Sequence, residues 1–125
     1  MNMLRFTTGE TQAILHRLEI GECIAEVFAD TDGIEHLAPL VEARAREMAF
    51  QLSKTHNIES KGDCELDMEI LVDCLDGSTW YEVHEGYGEA SNQKLTAITN
   101  SLRSAAAKVE AFYNIPRGDI NVVTW

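Results

Sequence analysis

Cys64-Glu65-Leu66-Asp67-Met68-Glu69-Ile70-Leu71-Val72-Asp73-Cys74-Leu75-Asp76-Gly77-Ser78-Thr79-Trp80-Tyr81-Glu82-Val83-His84-Glu85 is the stretch on which the fold reading turns. Its first half has a period of two. Cys64, Leu66, Met68, Ile70, Val72 and Cys74 are apolar, and Glu65, Asp67, Glu69 and Asp73 alternate with them. A helix would scatter these apolar residues and set Asp67 among them, so the alternation predicts a strand. Asp76-Gly77 is the dipeptide of a tight hairpin turn. A two-residue loop pairs Val72 with Tyr81 and Ile70 with Val83, apolar on apolar. A three-residue loop mixes the faces. The competing reading is a helical one, with Thr79 and Glu82 as a capping box.

Outward from this stretch the chain reads as helices. Thr7 and Glu10 have the spacing of a capping box, opening a helix near residue 8 that carries Ala13, Ile14, Leu15 and Leu18. Gly21 interrupts it, and Cys23, Ile24, Val27 and Phe28 resume the stripe. Asp30-Thr31-Asp32-Gly33 is a turn. From about 35 to 55, Leu37, Leu40, Val41, Ala45, Met48 and Leu52 recur at spacings of three and four, with Pro39 in the first turn. Ser91 is a plausible cap for a helix over 92–113, striped with Leu95, Ile98, Leu102, Ala105, Val109 and Phe112. Pro116-Arg117-Gly118 stop it. Residues 119–124 then suit a last strand. The expected architecture is α+β: one mostly helical domain over 1–125, with a small antiparallel sheet from a hairpin at about 64–85 and a C-terminal strand.

Composition narrows the function. The chain has 125 residues, 45% hydrophobic and 25% charged, with a formal net charge of −11. Residues 61–90 hold nine acidic residues and one basic. Direct nucleic-acid binding and an anionic membrane surface both need clustered Lys and Arg, so both are disfavoured. There is no apolar run of spanning length and no signal-peptide pattern. Three cysteines without paired spacing fit a reducing cytoplasm.

No motif fixes a chemistry. A calcium loop at Asp30–Gly33 would place Phe28 and Pro39 at its end positions, where acids are needed. Cys64, Cys74 and His84 lack zinc spacing and read as core or surface residues. Gly86-Tyr87-Gly88 lacks the third glycine of a dinucleotide loop and is flanked by Glu85 and Glu89. Ser78, Ser91 and Cys74 have no identifiable base. No metal or cofactor is expected, and no catalysis.

The feature that stands out is the outer face of the expected hairpin. Glu65, Asp67, Glu69, Asp73, Glu82 and Glu85 surround Trp80 and Leu71, like an interface anchor inside a polar rim. The bland account is a solvated acidic face, with a helix or a second subunit over Trp80 and Leu71. In size, charge and want of a catalytic motif the chain resembles the small inhibitors that phages and mobile elements direct against host defence, anti-restriction and anti-CRISPR proteins among them. That resemblance rests on general properties and implies a basic, nucleic-acid-handling protein partner in the cytoplasm. The alternative is a small-molecule binder or enzyme with a pocket between sheet and helices, contacted by Tyr81, His84, Tyr87 and Arg117. A third reading is a homo-oligomer built on the Leu37–Leu52 stripe and the Ala-rich last helix, which is compatible with the interaction-protein reading.

Overall fold

The computed structural model describes residues 2–77 and 92–122. Among them the chain is mostly helical and carries one two-stranded antiparallel sheet. The elements are β1 (Met3–Arg5), α1 (Thr8–Leu18), α2 (Gly21–Ala29), a 3-10 turn (Glu35–Leu37), α3 (Ala38–Thr55), β2 (Asn57–Glu59), α4 (Glu65–Leu75) and α5 (Asn92–Tyr113). The expected α+β class holds. The expected position of the sheet does not.

α1 begins where the capping box places it. The Thr7 hydroxyl accepts from Glu10 N–H (3.2 Å), and the Glu10 carboxylate accepts from Thr7 N–H (2.7 Å). The break before α2 has a packing cause as well as a propensity cause. A Cβ on Gly21 would sit 3.1 Å from the Ala45 Cβ and 3.4 Å from the Glu42 backbone, so the missing side chain lets α2 lie against α3. α3 presents Val41, Ala45, Met48 and Leu52 to the core, and His56 closes it in the left-handed conformation. The chain then turns directly into β2, where Ile58 pairs with Leu4 of β1 and both are buried. α5 packs on α1 and α4. Asn114 (φ 57°) ends it, two residues before Pro116, and Ile115 N–H bonds back to Glu110 C=O.

Residues 65–75 are helix α4, not the first strand of a hairpin. The buried positions are Asp67, Ile70, Leu71, Cys74 and Leu75; Ile70 and Leu71 follow Asp67 by three and four residues, and Cys74 and Leu75 follow Leu71 by three and four. That is one face of a helix. The period of two arose because Leu66, Met68 and Val72 flank this stripe and are themselves partly buried. Leu71, read as outward-facing beside Trp80, is fully buried. The hairpin's second half, with Trp80, Glu82 and Glu85, lies outside the described residues, as do Tyr81, His84 and Tyr87.

The expected C-terminal strand is also corrected. Residues 119–122 form no strand. Ile120 and Val122 are buried, and the segment is held by hydrogen bonds from elsewhere. Glu110 Oε2 accepts from the N–H groups of Gly118 (3.0 Å) and Ile120 (2.9 Å). Gly77 N–H donates to Asn121 C=O (2.9 Å). These side-chain and loop bonds satisfy the backbone without a sheet partner.

Candidate functional site

The helix at 65–75 re-sorts the acidic residues. Glu65, Glu69 and Asp73 recur every four residues and form one row along α4. Asp67 leaves that row and turns inward, only 4% exposed. There Arg44 Nε donates to its Oδ1 (2.7 Å), Arg44 Nη2 to its Oδ2 (2.8 Å), and the Ser60 hydroxyl to Oδ2 (2.7 Å). Ser60 Oγ also meets the Tyr113 hydroxyl at 2.7 Å. Arg44 reaches Glu59 C=O and Glu47 as well. Burial pushes the Asp67 carboxyl up, but the Arg44 and Ser60 hydrogen bonds outweigh it and hold it below its ordinary range. Burial pushes the Tyr113 phenol up to about 12.

A cleft of about 670 Å³ opens beside this network, between β2, α3 and α4. Arg44, Glu59, Ser60, Cys64 and Asp67 line it. Arg44 and Asp67 are already committed to each other there, and their network joins α3, α4, β2 and α5; Lys61 and Glu59 also line the cleft. Arg117, expected at a pocket between sheet and helices, is exposed beside Gly118 and Glu110, away from that cleft.

The outward row is different in kind. Glu65 lies 3.6 Å from His36 Nε2, and both side chains are exposed. Asp73 lies 3.4 Å from Arg17 Nη2. Glu69 stands between them, half-buried. Its carboxyl is pushed up first by burial and then by the charges of Glu65 and Asp73. Asp73 is pushed up by burial and by Asp76, in spite of Arg17. Within the row, like charge therefore presses on Glu69, while Glu65 and Asp73 each have a basic neighbour.

A second stretch of the chain is also rich in acids. Glu19, Glu22, Glu26, Asp30, Asp32 and Glu35 are all exposed, and no Lys or Arg occurs among residues 18–35. Arg17 precedes this stretch and pairs with Asp73. His36 follows it and faces Glu65. The acid-rich stretch is thus bracketed in the chain by two contacts to α4, one from Arg17 of α1 and one from His36 of the 3-10 turn. The sequence shows the α2 acids plainly, yet charge counted in blocks of thirty residues hides a run that has acids and no bases.

Among the described residues, no three His, Cys, Asp or Glu side chains converge as metal ligands, and no helix is long and apolar enough to cross a membrane. No protein-family model matches the chain, and neither a curated protein nor a solved structure does.

Proposed function

We propose that this chain is an acidic interaction module that acts by binding a basic protein rather than by catalysis. The observation that carries the reading is the row Glu65–Glu69–Asp73, spaced every four residues along α4, in which burial and the charges of Glu65 and Asp73 raise the Glu69 carboxyl. Such a group gains when a cation approaches, because the repulsion that disfavours its ionised form is offset. The exposed acids of residues 19–35 extend the field around them and speed the encounter with a basic surface. Asp67 has no part in this contact, since Arg44 and Ser60 already hold it. The sharper form of the proposal is a cytoplasmic inhibitor of a nucleic-acid-handling defence protein, whose phosphate-binding surface would supply the basic face.

The test is affinity capture from bacterial lysate at low and high salt, with the wild type and an E65Q/E69Q/D73N variant. One basic protein retained by the wild type, weakened by salt and lost by the variant is the expected outcome. A partner retained equally by the variant would remove the acidic row from the mechanism. The sharper form further requires that added DNA or RNA compete with the module for its partner.

A further inference from the structure

Among the described residues three large apolar side chains stand well clear of the core, and two of them, Leu40 (55% exposed) and Phe50 (64%), belong to α3. α3 spends its inner stripe, Val41, Ala45, Met48 and Leu52, on its own core. At 3.6 residues per turn, Ala43 and Phe50 project from the opposite side, seven residues apart, with Arg46 and Glu47 midway between them. All four are exposed.

This face is symmetric about its midpoint in a particular way. A small residue at 43 mirrors a large one at 50, and a cation at 46 mirrors an anion at 47. A surface of that kind is complementary to itself across a two-fold axis. We propose that the outward face of α3 binds a second copy of this chain, the two α3 helices lying antiparallel. Phe50 of each copy covers Ala43 of the other, and Arg46 of each meets Glu47 of the other.

Two further observations favour a second copy. The chain has a net charge of −11, but α3 holds three basic and two acidic residues, so two copies approach along it without the repulsion that the α2 or α4 surfaces would impose. The ion pairs that Arg46 and Glu47 make within one chain are short and solvent-facing: Arg46 with Glu42 at 2.6 Å, and Arg44 with Glu47 at 2.8 Å. Exposed pairs of this type hold weakly and can be shared or exchanged on contact. A single pair of helices about 27 Å long gives an interface at the small end of the specific range, so dimerisation is concentration-dependent. This inference does not depend on the acidic face, and its test needs no other protein.

The experiment is solution mass by light scattering or sedimentation, with the full chain diluted from hundreds of micromolar. Wild type is expected to pass from twice the 13.9 kDa chain mass to the chain mass. Phe50→Asp is expected to raise the dimer dissociation constant by roughly 30-fold or more, as loss of a central apolar anchor does. Arg46→Glu or Glu47→Arg alone sets like charges together and is expected to give monomer. The double variant R46E/E47R restores opposite charges across the axis and is expected to recover the dimer. These are exposed positions, and helical dichroism confirms that each variant is folded. A single-chain mass at every concentration would overturn the proposal, including the case in which another protein covers this face. So would a dimer indifferent to Phe50→Asp, or charge variants whose double does not recover.

Discussion

Arg44 grips Asp67 with two nitrogens at once, Nε at 2.7 Å and Nη2 at 2.8 Å, and so ties the middle of α3 to the first turn of α4. The same guanidinium reaches Glu47 at 2.8 Å on its exposed side. One cation therefore serves a buried carboxylate and a solvated one, and the two contacts differ sharply in energetic weight.

Asp67→Ala is expected to destabilise the fold by about 3 kcal/mol or more, because it removes the buried carboxylate that accepts two bonds from Arg44 and one from Ser60. Glu47→Ala removes a pair at similar distance and is expected to cost less than about 1 kcal/mol, since water replaces the lost partner. Urea midpoints with unchanged slopes would measure both. Equal losses would mean that burial does not decide the worth of these pairs.

That grip also explains what the sequence conceals. α1, α3 and α5 are legible because each has an apolar stripe with a stop or start signal beside it: Thr7 and Glu10, Pro39, Pro116. α4 has such a stripe too, but its first member is Asp67, and a lone chain segment gives no reason to bury an acid. The reason lies 23 residues upstream at Arg44. Once Asp67 is taken to be exposed, period two is the better fit, and Asp67 and Leu71, both buried, are assigned to the outer face. β1 and β2 fail for another reason: at three residues each they are too short to show a period at all. The acidity of Glu65, Glu69 and Asp73 was visible. Their separation from Asp67 follows only from the helix.

Stability is expected to pass through a maximum on mild acidification. Glu69 and Asp73 are raised above their ordinary values of 4.5 and 3.8. For a raised carboxyl the folded state binds more protons, so its penalty is full at neutral pH and is relieved as pH falls through the folded value. Glu10 and Asp67 run the other way. Burial works to raise Glu10, but bonds from Lys108, Ser104 and Thr7 hold it below 4.5, as Arg44 and Ser60 hold Asp67 below 3.8. Their contribution is full above the unfolded values and is lost as pH falls through the folded ones. Melting temperatures taken from pH 7 to pH 3 should therefore rise and then drop. A steady fall from pH 7 would show that the Glu69 and Asp73 carboxyls are not raised in the folded chain.

Glu69→Gln separates a structural role from a binding one. The change removes the middle charge of the row, relieving repulsion from Glu65 and Asp73. It is expected to stabilise the free chain by about 0.5 kcal/mol. If the row meets a basic partner, the same variant binds it less well. Greater stability with weaker capture is the pattern of a surface kept strained for contact. A variant that gains stability and binds unchanged would leave the row a solvated face and nothing more.

Gly21→Ala tests the close approach of α2 to α3. On helix propensity alone the change should stabilise, by up to about 1 kcal/mol. Gly21 is buried, however, and the new Cβ would lie 3.1 Å from the Ala45 Cβ with the Glu42 backbone at 3.4 Å. Two of those contacts are with main chain in the second turn of an 18-residue helix, which cannot step aside as a flexible side chain would. Overpacking is therefore expected to win, with a net loss of about 1 to 2 kcal/mol by denaturant titration. Pairing it with Ala45→Gly removes one of the three contacts and should recover only part of the loss, because the Glu42 backbone remains. Full recovery would place the whole clash at the Ala45 methyl group, and a stabilised single variant would mean that α2 rides further from α3 than its glycine allows.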